Sequence, residues 1–163
     1  MRAVAAATLK SCLRSLRALL VRRAPRTALL AFEPTAHELG RIGEGLAARH
    51  LVRAGLALVA RNSTAAGAEI DVLVWDADVL VAVEVKTSRS FPQRGLGERR
   101  YRPLDRVDHV RRRRLAAAVG ALGRSAGRRV RVDVVEVWVQ GPARRVEIAW
   151  ERGAPSERRG ATL

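Results

Sequence analysis

Two neighbouring apolar stretches carry charges two residues apart, Glu69 and Asp71 in Ala68-Glu69-Ile70-Asp71-Val72-Leu73-Val74 and Glu84 and Lys86 in Val81-Ala82-Val83-Glu84-Val85-Lys86. A period of two marks a β-strand. The pattern predicts strands over 68–75 and 79–87, joined through Trp75-Asp76-Ala77-Asp78 as an antiparallel hairpin. A two-residue loop at Ala77-Asp78 pairs 76 with 79, and therefore 71 with 84. A four-residue loop gives the same pairing, whereas a three-residue loop slips it by one. Directly opposed residues project to the same face. In this register one face is aliphatic, with Ile70, Val72 and Val74 against Val81, Val83 and Val85. The other face carries Asp71, Glu84 and Lys86. A slip would mix the two sets, so the clean partition supports the register.

Helical periodicity flanks the hairpin. Leu39, Ile42, Leu46 and Ala47 stripe a helix over His37–Arg53, which Gly55 ends. Gly40, Gly43 and Gly45 each cost about 1 kcal/mol against alanine inside a helix, so their crowding predicts a close-packed surface. Glu44 lies about 140° round from Leu39, at the edge of the stripe. It either reaches a neighbouring site or pairs with Arg41. Leu56–Arg61 reads as a short strand and Asn62–Gly67 as a turn. Pro103 opens a second helix running to about Leu122, striped by Leu104, Val107, Leu115, Ala118, Val119 and Leu122. Arg111 falls inside that stripe, and an inward guanidinium calls for a carboxylate or a phosphate unless it snorkels outward. Gly123–Gly127 breaks the chain, Arg129–Val139 is a strand, and Arg144–Trp150 is an edge strand. The expected domain spans 35–150, with a polar tail over 151–163.

Residues 1–34 read as a basic N-terminal extension. Leu9, Leu13, Leu16 and Leu20 fall at helical spacing among arginines, as in a membrane-surface helix or a transit peptide. The alternative is an unstructured arm or a start codon placed too far upstream. Low complexity and the breaks at Pro25 and Pro34 favour this alternative.

Net charge changes the picture more than composition does. The chain of 163 residues carries +15, with 29 arginines and 2 lysines. Residues 1–32 hold seven basic side chains and no acidic one, leaving 24 basic against 16 acidic, or +8, for the rest. Such a domain favours polyanions, either nucleic acid or an anionic membrane surface. The connection over Ser88–Arg102 adds Arg89, Arg94, Arg99, Arg100, Arg102 and Tyr101, all able to meet a phosphate or a base. The single cysteine, Cys12, excludes an internal disulfide and a cysteine zinc site, and it fits the reducing cytoplasm. No apolar run approaches the roughly 20 residues of a membrane span. Neither a glycine-rich phosphate loop nor a serine-nucleophile elbow is present.

Two carboxylates opposed on adjacent strands repel each other unless a cation lies between them. Mg²⁺ (or Mn²⁺) suits Asp71 and Glu84, because it takes oxygen ligands and often uses only one or two carboxylates. It would polarise a phosphodiester and activate a water. Lys86 could orient or deprotonate that water or offset developing charge, and Glu44 could add a ligand. The other reading is a buried ion pair of Lys86 with Glu84 or Asp71.

An acidic strand residue followed by E-x-K on the next strand resembles the PD-(D/E)xK nuclease superfamily. More closely, the chain is similar to the YraN family, bacterial proteins described as candidate endonucleases. The matching residues are Leu39-Gly40-Arg41-Ile42-Gly43-Glu44 with Ala47-Ala48, then Asn62, then Glu69-Ile70-Asp71, Val83-Glu84-Val85-Lys86-Thr87 and Arg131-Val132-Asp133-Val134-Val135. They cover about residues 37–137. Gly67-Ala68 replaces the family's Gly-Gly, and Arg111 stands where its basic cluster begins with lysine. The resemblance implies a restriction endonuclease-like core of α/β class (α+β with a mixed sheet), in the order helix-strand-strand-strand-helix-strand-strand. It also implies Asp71, Glu84 and Lys86 at the catalytic positions with Glu44 nearby, and Mg²⁺-dependent hydrolysis of DNA, of branched or single-stranded form. Arg111, Arg89, Arg100 and Arg102 are the nucleic-acid-binding candidates, and cleavage of both strands would favour a homodimer. The alternative is a non-catalytic nucleic-acid-binding accessory protein that keeps the nuclease fold.

Overall fold

A computed structural model describes residues 2–89 and 109–153. The elements are α1 (Arg2–Arg23), α2 (Pro25–Ala31), α3 (Ala36–Arg53), β1 (Ala57–Ala65), β2 (Ala68–Asp76), β3 (Val79–Ser88), α4 (His109–Ala126), β4 (Arg129–Gln140) and β5 (Arg145–Glu151). The strands form one mixed sheet in the order β1-β2-β3-β4-β5. Only β3 and β4 run parallel, joined through α4. The class is mixed α/β, as expected, and from α3 onward the elements follow the expected succession. The remainder of the basic connection from residue 90, the predicted helix start at Pro103 and the tail from residue 154 lie outside the described residues.

Helices cover both faces of the sheet. α1, α2 and α3 lie on one side, where Leu29, Ile42 and Leu46 pack with Val72, Val74, Val81, Val83, Val135 and Val137. α4 covers the other, with Leu115 and Val119 against Ile70, Leu73, Leu80 and Ala82. This explains the apolar run Val79–Val83, since a central strand is buried on both faces.

α3 starts with a capping box: the Thr35 hydroxyl accepts from Glu38 N–H, and Glu38 accepts from Thr35 N–H at 2.8 Å. Such a cap stabilises by about 1 kcal/mol. Two of the three α3 glycines are explained by close packing. A Cβ on Gly43 would stand 1.8 Å from Thr87 Oγ1 of β3, and one on Gly45 would stand 3.0 Å from Pro25. Gly40 meets nothing within 4 Å.

Three expectations need correction. Residues 2–31 are helical rather than an unstructured arm, with Val21, Ala28 and Leu29 buried in the main core. Arg17 pairs with Glu38 of α3, and Arg144 of the β4–β5 turn donates to the Leu29 and Phe32 carbonyls that end α2. Low complexity concealed this because α1 has few buried positions, while α2 buries two small or aliphatic residues and Pro25. β1 runs on to Ala65, and the turn contracts to Ala66-Gly67, both at positive φ (46° and 76°), the geometry of a two-residue hairpin. α4 continues through Gly123 to Ala126, and Gly123 serves packing rather than a break, since a side chain there would collide with Val130.

Candidate active site

The hairpin register is the expected one, with Asp76 opposite Val79 and Val72 opposite Val83. The paired ladder ends there. At the next position the Asp71 side chain takes over, its Oδ2 accepting the Val85 N–H at 2.8 Å. A carboxylate thus stands in for the backbone carbonyl that a continued ladder would supply, and β2 peels away from β3. As a result Ile70 leaves the aliphatic layer predicted for it and packs under α4 with Leu73 and Leu80.

Asp71, Glu84 and Lys86 do come together. Glu84 sits on the central strand with its side chain only 1% exposed. Its Oε1 accepts from Lys86 Nζ at 2.7 Å and from Arg111 Nε at 2.5 Å. Arg111 turns inward from α4 and also reaches Asp71 Oδ1 at 3.6 Å. Glu84 Oε2 is buried with no hydrogen-bond partner among the described residues. Burial first, and then the Glu84 charge, push the Asp71 carboxyl up to about 6 from 3.8, against the Val85 N–H and Arg111, which oppose the shift. Its hydrogen bond to Glu84 holds the Arg111 guanidinium above its ordinary value.

Glu44 flanks this group from α3. Its charge acts on Asp71, and its Oε2 lies 3.8 Å from Arg41 Nε yet has no hydrogen-bond partner among the described residues. Among those residues no three His, Cys, Asp or Glu side chains stand close enough to form a ready ligand set. The donor chemistry still fits a hard divalent cation at the Asp71–Glu84 pair: two carboxylates, one orphaned buried oxygen and mutual repulsion that a cation would relieve. Of the basic candidates, Arg89 is engaged elsewhere, with Glu33 and the Pro34 carbonyl. Arg100 and Arg102 lie outside the described residues.

Two groups were quoted for the resemblance above without a role. Asn62, at φ 51°, accepts from Arg41 at 2.5 Å beside Glu44. Arg131 and Asp133 form a buried two-pronged pair at 2.7 and 3.0 Å, closed by the Trp150 indole, the Gly153 N–H and Asp76. The signal for the second was visible: Arg129, Arg131 and Asp133 hold alternate positions of a strand that continues on that side as Val135, Val137 and Val139.

The profile of the uncharacterised protein family UPF0102 matches residues 43–137. The chain belongs to this family. UPF0102 is the YraN family of the resemblance above. Its relatives include a UPF0102 protein of Rhodococcus jostii (strain RHA1), 39% identical over 113 residues, 67% of this chain and 90% of that one. A UPF0102 protein of Solibacter usitatus (strain Ellin6076) is 43% identical over 120 residues, 71% and 83% of the two chains. One of Clavibacter michiganensis is 38% identical over 115 residues, 68% and 92%. The UPF0102 match takes in Glu44, Asp71, Glu84, Lys86 and Arg111, whereas α1 and α2 precede it. Among the described residues of this UPF0102 protein no helix is long and apolar enough to cross a membrane.

Proposed function

We propose that the protein is a metal-dependent endonuclease hydrolysing phosphodiester bonds in DNA, with Asp71, Glu84 and Lys86 as its working groups. The observation that carries this reading is the crowding of Asp71 against Glu84. Burial and then the Glu84 charge raise the Asp71 carboxyl, and Glu84 Oε2 is buried without a partner among the described residues. Buried carboxylates that repel each other are characteristic of functional rather than structural placement. A bound Mg²⁺ or Mn²⁺ would supply Lewis acidity toward the phosphoryl oxygen and a more acidic water.

The chain's own groups do the rest. In hydrolysis a water oxygen bonds to phosphorus, one ester P–O bond breaks, and the water proton passes to the departing oxygen or to solvent. Lys86, held by Glu84 at 2.7 Å, offsets the negative charge that develops on the phosphoryl oxygens. Arg111, 40% exposed, can turn one face of its fork toward a phosphate while Glu84 holds its Nε. Cutting both strands of a duplex would take two copies of the chain.

A second reading has its own support. Glu84 is already met by two cations, and Arg111 extends to Asp71, an arrangement that a non-catalytic nucleic-acid-binding protein could keep. One experiment separates the two. Linear, forked and junction DNA are incubated with Mg²⁺ or Mn²⁺, and cleavage is expected to vanish in Asp71→Asn and in Lys86→Ala. DNA binding without cleavage of any substrate by the unaltered protein would favour the accessory reading.

A further inference from the structure

A second concentration of charge lies beyond Glu44. Arg61 projects from β1 toward α3, half-buried, with Nη1 3.5 Å from the Arg22 carbonyl and Nη2 3.5 Å from the Arg41 carbonyl. Both contacts are at the limit of a hydrogen bond. Its Nε is buried and has no partner among the described residues. Nor does any carboxylate among those residues lie within ion-pair distance of it. Its charged neighbours are instead Arg41, Arg49 and Arg22, with Glu44 alone of opposite sign. Burial therefore pushes the Arg61 guanidinium down, with the three arginines acting in the same direction and Glu44 against.

A guanidinium in that setting stays charged. A buried charge facing like charges costs stability, and folds keep one where something uses it. A purely structural account covers only part of the cluster. Arg49 donates to the Arg23 carbonyl at 2.6 Å and so caps the end of α1. Arg61 at 3.5 Å gains little from the same role, and Arg22 is exposed.

Arg61 reaches the Arg41 carbonyl at 3.5 Å and Arg41 Nε lies 3.8 Å from Glu44 Oε2, so the arginine cluster abuts Glu44, whose charge acts on Asp71. We propose that Arg61, Arg41, Arg49 and Arg22 form a phosphate track leading from the carboxylate site to the end of α1, which holds the backbone of a nucleic acid. This rests on the nucleic-acid reading above and adds the path that the strand takes. The N-terminal helices thereby become part of the binding surface. Fork-shaped guanidinium groups suit successive phosphates. The contiguity with Asp71 and Glu44 favours nucleic acid over an anionic bilayer, which would instead use the exposed Leu13, Leu16 and Leu19 of α1.

The test uses the full chain with Asp71→Asn to prevent cleavage. Fluorescence anisotropy with a labelled single strand and a labelled duplex is followed over a salt series. The triple variant Arg22→Gln/Arg49→Gln/Arg61→Gln is expected to bind at least tenfold more weakly. Its log–log salt slope should fall by about 2–3, since each lost phosphate contact removes about 0.7–0.9. A control triple of equal charge on α4 and its exit, Arg113→Gln/Arg124→Gln/Arg128→Gln, should lose less than a third as much slope. Equal losses in the two triples would overturn the track in favour of diffuse charge. Unchanged binding in the first triple, with wild-type cleavage intact, would overturn the track and leave the nuclease reading standing. No binding by the parent would overturn both. Loss of co-sedimentation with phosphatidylglycerol vesicles while DNA affinity persists would reassign the cluster to a membrane. Arg61→Met, which keeps the stem, should melt at or above the wild-type temperature; a clear drop would show that Arg61 is structural.

Discussion

Replacing Gly43 tests how α3 is seated on the strand that carries Glu84 and Lys86. Alanine in a helix interior is worth about 1 kcal/mol over glycine. At Gly40, where a Cβ meets nothing within 4 Å, that gain should appear in full. At Gly43 the new Cβ would stand 1.8 Å from Thr87 Oγ1 and 2.9 Å from both Thr87 Cβ and Cγ2. Turning the Thr87 side chain cannot clear the clash, because its Cβ, fixed to the backbone, is itself too close. Helix and strand must separate, and overpacking of that kind costs about 1–3 kcal/mol or more. After the helical gain, Gly43→Ala should destabilise by about 1–2 kcal/mol, while Gly40→Ala stabilises. Urea denaturation with an unchanged slope reports both. Thr87→Ala removes two of the three close atoms, so the Gly43→Ala/Thr87→Ala pair should show a coupling of about 1 kcal/mol. Equal stability of Gly43→Ala and Gly40→Ala, or strict additivity with Thr87→Ala, would refute the seating.

Asp71 links stability to pH. Its carboxyl is near 3.8 in the unfolded chain and about 6 in the fold, so the fold disfavours the ionised form. The resulting loss of stability grows as pH rises from roughly 4 to 6 and is complete above that, on the order of 3 kcal/mol. Asp71→Asn should therefore stabilise the protein above pH 6 and give no gain near pH 4. Melts across that range check this, and an equal gain at both ends contradicts it. Asp133→Asn leaves Arg131 buried and half-paired, and should cost about 3–5 kcal/mol in urea denaturation; a loss under about 1 kcal/mol would mean that the network is dispensable. Glu38→Gln weakens the tie to Arg17 on α1 as well as the α3 cap. Limited proteolysis should then cut faster within residues 2–23, and an unchanged cleavage pattern would argue against that tie.

Much of the fold was legible because the hairpin alternates cleanly. Val72, Val74, Val81 and Val83 against Asp71, Glu84 and Lys86 set register and faces at once, and the wheel of α4 turned Arg111 inward. The departure of β2 at Asp71 was not legible. It depends on a side-chain carboxylate replacing a backbone carbonyl, and that leaves no mark on period or composition. Nor was the docking of α1 and α2, which rests on tertiary contacts from Glu38, Gly45 and Arg144 rather than on any strong local pattern. Arg61 was hidden among 29 arginines, and only its surroundings single it out.

The grip of Arg144 on α2 spans 115 residues of sequence. During synthesis the carbonyls of Leu29 and Phe32 emerge long before the guanidinium that will donate to them, at a rate of about 5–20 residues each second. Helices made before the sheet are therefore among the last to be clasped. Until the β4–β5 turn leaves the ribosome, Ala28 and Leu29 have only part of their final cover, so α2 gains from protection against aggregation during that interval.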